Sequence, residues 1–289
     1  MTLALTAGLG LLIGLSLGAL GGGGSILTVP ALVYVLGQGA KAATTSSLFI
    51  VGLSALIGAV GHHRSGRVRW GIGLVFGATG IAASFAGTAA NRLVPPDVLL
   101  LAFAGLILVA AAGMFTKARN SARQAEPSLV PAGGDRLGAA PEEPSTAPGS
   151  TAPGQEPAAR PTRDWRRAGK VLAAGLAVGF MTGFFGVGGG FVIVPALTLA
   201  LGMAMPEAVA TSLVVIAINS GAALLFRAGS AHFDWGLILP FTVASIAGSL
   251  AGKQVADKLN ARTLTRAFAV LLVAVAVYTG VQSVLGLTG

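Results

Sequence analysis

The chain has 289 residues, of which 54% are hydrophobic and only 10% are charged, and its formal net charge is +9. Soluble domains carry about a quarter charged residues, so the composition excludes a soluble fold and predicts an all-α polytopic membrane protein. The basic residues lie in short loops between apolar runs, which excludes a nucleic-acid-binding protein. The absence of cysteine excludes disulfides and thiolate metal sites.

Apolar segments follow one another in two groups of four. A crossing helix needs about 20 apolar residues, so the chain has room for about 8–10 membrane segments. The first run lacks a basic flank and a cleavage site, so we expect it to belong to the mature protein. The predicted segments are 3–36, 41–61, 70–93 and 98–115 in the first group, and 172–201, 207–226, 235–254 and 264–285 in the second.

A polar, proline-rich stretch separates the two groups. Of the 29 charged residues, 15 lie between Lys117 and Lys170. Such a composition buries too little apolar surface to fold. We therefore predict a first transmembrane repeat at 1–116, a disordered cytoplasmic linker at 117–169 and a second transmembrane repeat at 170–289.

The two groups are copies of each other. At an offset of 165 residues, 29 of the 98 positions from Gly18 to Phe115 are identical. Val29-Pro30-Ala31-Leu32 falls on Val194-Pro195-Ala196-Leu197, and Trp70-Gly71 falls on Trp235-Gly236. Internal repeats of this kind are typical of transporters.

The loop charges favour inverted repeats. The loop around His62–Arg69 is basic and the next loop is balanced, whereas in the second half Arg227–Asp234 is balanced and Lys253–Arg266 is basic. Since positive loops face the cytoplasm, equivalent loops lie on opposite sides. Each half then crosses an odd number of times, which makes the glycine-rich first segment a broken hairpin or a pair of short helices. A single bent crossing would instead give four spans per half and parallel repeats.

The most specific motif is the glycine-rich run Gly21–Pro30 (GGGGSILTVP), repeated as Gly186–Pro195 (GVGGGFVIVP). Four small residues in a row break a helix, and the helix that restarts offers free N–H groups and a positive dipole end to an anion. The alternative is that these glycines only allow close helix packing. We expect valine at Gly14, away from the break, to be milder than valine at Gly24 or Gly189.

Hydroxyl side chains follow each glycine motif. Thr44-Thr45-Ser46-Ser47 is matched by Thr211-Ser212, and Asn219 lies about two turns further on. They cap helices, join helices or line a polar path. The predicted substrate site consists of Gly23, Gly24, Ser25, Thr28, Ser46, Ser47, Gly188, Gly189, Gly190, Thr211, Ser212 and Asn219.

No motif for catalysis is visible. The sequence has no catalytic triad, nucleotide fingerprint or metal-ligand cluster, so we predict no enzyme activity, no metal and no cofactor. No carboxylate lies clearly inside a predicted span, which leaves the coupling ion, proton or sodium, open.

The doubled pattern G-x-x-G-x-G-G-G/S-x-x-x-x-P, at Gly18–Pro30 and Gly183–Pro195, resembles the TauE/SafE family of membrane transporters, also called the sulfite exporter family. The T/S-S-L segments that follow share the resemblance, whereas the linker lies outside it. The resemblance implies a multi-pass protein of the cell membrane that moves a small anion, such as sulfite or an organosulfur or carboxylated compound. Val187 replaces the glycine found at Gly22, and Ser25 stands opposite Gly190, so the two half-sites differ.

The leading hypothesis is a secondary transporter or exporter of a small anion that works by alternating access. Its expected partners are this anionic substrate and the lipid bilayer. A passive small-anion channel and a non-transporting membrane scaffold are the alternatives.

Overall fold

The computed structural model describes residues 2–91, 93–94, 96–124, 165–185, 190–227 and 233–288, and these residues form helices without any strand. Two five-residue π-helical segments, Ala31–Val35 and Ala196–Ala200, follow Pro30 and Pro195 directly. The described α-helices are α1 (Thr2–Leu20), α2 (Gly23–Pro30), α3 (Ala40–His63), α4 (Trp70–Asn91), α5 (Pro96–Gln124), α6 (Trp165–Phe185), α7 (Gly190–Pro195), α8 (Met205–Arg227), α9 (Trp235–Lys258) and α10 (Ala261–Thr288).

The all-α membrane architecture is confirmed. Five described helices, α3, α4, α6, α8 and α9, are long and apolar enough to cross a membrane. Helix α5 continues past Lys117 to Gln124, into the range predicted for the linker, and α6 begins at Trp165. The rest of the predicted linker, 125–164, lies outside the described residues.

The glycine-rich segment of the first half is a helical hairpin. The chain reverses at Gly21, whose φ of 77° suits glycine, and α2 returns along α1. A Cβ on Gly24 would lie 2.7 Å from both the Ile13 carbonyl oxygen and the Leu17 Cβ. Gly24 therefore packs the two arms of the hairpin together.

A proline ends the α-helical part of each returning arm. Because proline has no N–H and crowds the preceding turn, the helix widens after Pro30 and after Pro195. The Leu36 N–H donates to the Ala31 carbonyl (3.2 Å), and the Leu201 N–H donates to the Ala196 carbonyl (3.3 Å). These π-helical hydrogen bonds, each between residues five apart, occur at equivalent positions of the two halves.

Helices α1 and α9 touch backbone to backbone. A Cβ on Gly14 would overlap the Ser245 carbonyl, and a Cβ on Gly18 would overlap the Ser249 carbonyl. Small residues four apart line one helix face and allow this approach. Valine at Gly14 was expected to be milder than at Gly24 because Gly14 lies away from the break, but this location gives Gly14 no free space.

Helices α6 and α4 repeat this contact. A Cβ on Gly179 would overlap Gly80, and a Cβ on Gly183 would overlap the Ser84 carbonyl. These pairs lie 165 residues from the Gly14–Ser245 and Gly18–Ser249 pairs. Each hairpin helix is thus packed against the fourth helix of the other half.

The central helices α3 and α8 are equivalents in the duplication, and they run antiparallel. Gly52 faces Ser220, while Gly58 faces Leu213, so residue numbers rise on one helix as they fall on the other. The antiparallel pair joins the two halves at the middle of the bundle.

The basic loops meet at one end of the bundle. Arg67 forms an ion pair with Asp257 at the end of α9, and Arg69 pairs with Glu207 at the start of α8 (3.0 Å). These pairs place the α3–α4 loop beside the α9–α10 loop, so the two loops with the greatest positive charge lie together. We call this the basic end.

Candidate anion site between the two hairpins

The two glycine-rich motifs contact each other inside the bundle through Gly22 and Gly190. A Cβ on Gly22 would overlap the Gly190 carbonyl, and a Cβ on Gly190 would overlap the Ser25 Oγ and lie 3.2 Å from the Ile216 Cδ1. Ile216 is the middle residue of α8. We call Gly22, Ser25 and Gly190 the hairpin contact. It lies beside the middle of α8.

Gly21 extends the hairpin contact toward Ser212. A Cβ on Gly21 would overlap the Ser212 Oγ and lie 3.0 Å from the Val194 Cγ2. The predicted residues Ser25, Gly190 and Ser212 are thus brought together. The residues that join them, Gly21, Gly22 and Ile216, were missing from the predicted site.

The other predicted glycines have different surroundings. Gly23 faces the Leu271 and Ser16 side chains, and Gly24 packs against α1. Both are buried. Gly188 and Gly189 lie outside the described residues. For Gly24, these contacts support the alternative that the glycine allows close helix packing.

Helix α2 starts at the hairpin contact without a side-chain cap. Its N-cap residue is Gly22, and the first N–H groups of a helix lack intrahelical acceptors. The Ser25 hydroxyl donates to the Gly22 carbonyl (2.8 Å), and the buried Thr28 hydroxyl donates to the Gly24 carbonyl (2.7 Å). Because both hydroxyl protons are used in these bonds, the first backbone N–H groups of α2 are more available to an anion than the Ser25 and Thr28 hydroxyls.

The remaining predicted hydroxyls fall into two groups. Ser47 donates to the Thr44 carbonyl (2.9 Å), and Ser212 donates to the Val209 carbonyl (2.8 Å). By contrast, the Thr211 Oγ1 accepts a hydrogen bond from the Arg69 backbone N–H (3.2 Å). The buried Ser46 Oγ has no hydrogen-bond partner in the structure. Because α3 and α8 are antiparallel, Ser46 and Thr211 lie toward opposite ends of the bundle and do not share one site with Ser25.

Asn219 occupies a position where the two halves differ. Its equivalent, Ser54, donates a buried hydrogen bond to Ser245 (3.0 Å), but the equivalent of Ser245 is Gly80. The Asn219 Oδ1 is buried without a partner, and its amide lies 3.8 Å from the position of a Cβ on Gly80. Asn219 lies one turn beyond Ile216 on α8 and faces Gly80 on α4, with its side-chain oxygen unpaired.

Asn219→Ala should lower the rate of anion transport because it removes the Nδ2 group, a hydrogen-bond donor near the middle of α8 that an anion can use. It should leave the melting temperature nearly unchanged, because no protein hydrogen bond to Oδ1 is lost. Ser54→Ala is the matched variant at the equivalent position. It should cost about 1 kcal/mol of stability through the broken bond to Ser245 and leave transport intact. Flux into liposomes and thermal unfolding of both variants measure the difference; a stability loss at Asn219 with normal flux would assign it a purely structural role.

The geometry defines a class of protein before any comparison. Long apolar helices and two glycine-rich motifs that meet beside the middle of α8 are typical of polytopic membrane transporters. The chain belongs to the sulfite exporter TauE/SafE family, whose model matches residues 6–279.

Relatives in several organisms carry transporter names. A "Probable membrane transporter protein" of Xylella fastidiosa strain 9a5c is 30% identical over 280 residues, which cover 96% of this chain and 94% of the relative. YdhB of Bacillus subtilis, also named a probable membrane transporter protein, is 23% identical over 84% of this chain and 86% of the relative. No solved structure matches the chain significantly. The protein is therefore a multi-pass membrane protein of a transporter family.

Proposed function

We propose that this protein is a secondary transporter that moves a small anion, sulfite or an organosulfur or carboxylated compound, through the hairpin contact by alternating access. The observation that carries the proposal is the approach of Gly22 to Gly190 halfway along α8. Broken helices that meet near mid-depth form the substrate sites of many carriers. The family supports transport, and the substrate class is our inference from it.

The electrostatics of the hairpin contact favour an anion bound by backbone groups. The atoms nearest to a Cβ on Gly21, Gly22 or Gly190 all belong to uncharged residues. The uncapped start of α2 supplies N–H groups and a positive dipole end. Binding by such partial charges compensates the anion and stays weak enough for release.

We further propose that the two halves are inverted repeats, with Gly188, Gly189 and Gly190 completing the site from the second half. The antiparallel contact of α3 with α8 and the reciprocal pairing of α1 with α9 and α6 with α4 support an axis that exchanges the halves. In carriers with such an axis, one repeat moves against the other, so that the same site opens first to one side of the membrane and then to the other.

We expect the linker and the C-terminus to be labelled from opposite sides of the membrane. With the basic end in the cytoplasm, the linker is cytoplasmic and the Gly289 terminus is outside. The chain has no cysteine, so single cysteines at Ser150 and Thr288 are the sole targets of an impermeant thiol reagent. Labelling of both from one side would refute the inverted arrangement and favour four crossings per half.

Deletion of residues 125–160 should leave membrane insertion and flux nearly unchanged. Its physical reason is that a proline-rich, charged segment joins the halves without burying apolar surface. Expression level and flux of the shortened chain measure this. A folded but inactive shortened protein would show that the linker regulates transport.

Flux by the purified chain in liposomes tests the proposed function. Sulfite, sulfate, thiosulfate, sulfoacetate and taurine are the candidates, with empty liposomes as the control. A carrier gives saturable flux for one of the anions. Flux that rises linearly with concentration would identify a passive channel, and no flux of any of them would support the scaffold alternative.

A further inference from the structure

A cavity of about 530 Å³ opens on the side of the bundle at the basic end. It lies between α4, α6 and the loop that connects α7 to α8. Ile72, Val75, Val171 and Met203 form its apolar wall, and Arg69, Lys170 and Glu207 form its polar rim. Its size is within the range of small-molecule sites, and it is separate from the hairpin contact.

The rim carries a net positive charge. The Arg69 guanidinium pairs with the Glu207 carboxylate (3.0 Å). Lys170 is exposed and forms no ion pair with any residue that the structure describes. An incoming anion would therefore meet Arg69, which is already paired with Glu207, and Lys170, which is available.

The duplication shows that this charge is particular to one end. At the equivalent positions of the other half, Asp234 replaces Arg69, Leu5 replaces Lys170 and Ala42 replaces Glu207. The two glycines that shape the loop and the start of α4 recur, since Gly37 is the equivalent of Gly202 and Gly236 is the equivalent of Gly71. The backbone is repeated, whereas the basic rim is not.

We propose that this cavity binds the phosphate headgroup of an anionic phospholipid. Lys170 and Arg69 would hold the phosphate, and the acyl chains would lie along the exposed Val75 on the outer surface of α4. Basic pockets between membrane helices at the cytoplasmic side are suited to such headgroups. The orientation is the one proposed above, with the basic end in the cytoplasm.

Native mass spectrometry of the full chain in neutral detergent, titrated with phosphatidylglycerol or phosphatidylcholine, tests the proposal. The first phosphatidylglycerol should bind at least about fivefold more tightly than phosphatidylcholine. Lys170→Gln should weaken that binding about fivefold, the change that corresponds to about 1 kcal/mol for one basic residue near an anionic lipid. Glu207→Gln should strengthen it, because the carboxylate no longer competes for Arg69.

Lys258→Gln is the matched control, since Lys258 is exposed at the same end and lies outside the cavity. Unchanged lipid binding in Lys170→Gln, or equal loss in Lys258→Gln, would overturn the proposal. Full displacement of the lipid by inorganic phosphate would overturn it in favour of a free-phosphate site. Lipid binding is measured without transport, so a failure here is distinct from a failure of the proposed function.

Discussion

Gly22→Ala should lower anion flux about tenfold or more, a rate change that corresponds to about 1.4 kcal/mol. The added methyl group would overlap the Gly190 carbonyl, which is backbone and has no rotamer by which to move away. Gly22 and Gly190 must then move apart at the hairpin contact. Flux per inserted protein in liposomes measures the effect. Gly8→Ala is the control, because a Cβ there has nothing within 4 Å.

An exchange across the hairpin contact separates a specific fit from general damage. Ser25 and Gly190 are equivalent positions in the duplication, and a Cβ on Gly190 would overlap the Ser25 Oγ. Gly190→Ser alone should lose flux. The double variant Ser25→Gly with Gly190→Ser should recover most of it, because the contact again holds one side chain. If the double variant is no better than Gly190→Ser, the two residues do not share the space that the structure assigns to them.

Gly18→Ala should cost about 3 kcal/mol of stability or more, at the upper end of the range for overpacking. The methyl group would overlap the Ser249 carbonyl, and a backbone contact between two helices relaxes only if α1 and α9 move apart. Thermal unfolding of the detergent-solubilised chain measures the loss.

Gly183→Ala gives the matching experiment in the second half. It would overlap the Ser84 carbonyl in the equivalent contact of α6 with α4, so we expect a similar loss of stability. Gly8→Ala, on an exposed part of α1, should be neutral or slightly stabilising, since alanine favours helix over glycine. Wild-type stability of Gly18→Ala would contradict the close approach of α1 to α9.

These predictions revise what the glycines were expected to do. The motif Gly21–Pro30 predicted that Gly23 and Gly24 belong to a cradle for an anion, and it left Gly21 and Gly22 outside that site. In the structure Gly21 and Gly22 face the second half, whereas Gly24 packs the two arms of the first hairpin together. Valine at Gly24 would therefore damage the hairpin before it tested anion binding, and Gly22 and Gly190 are the better positions for that test.

Hydroxyl groups show the same limit of sequence interpretation. Ser46 and Ser47 are neighbours, and so are Thr211 and Ser212, but successive side chains on a helix point in directions about 100° apart. Ser212 therefore faces Gly21, whereas Thr211 faces Arg69 in the loop between α3 and α4. Their shared position in the sequence predicted a common site that helix geometry does not allow.

The composition by itself determined that this chain is an all-α membrane protein, and the 165-residue offset revealed the duplication. Membrane spans at 70–93 and 235–254 were predictable because lipid requires long apolar helices whose backbone is satisfied internally. The partners of these helices were not predictable. In lipid an apolar helix has no hydrophobic face that identifies its neighbour, and association depends on close packing of small residues. Only the tertiary structure could therefore decide that Gly14 packs on Ser245, that Gly22 meets Gly190, and that Asn219 is left without the partner that Ser54 has.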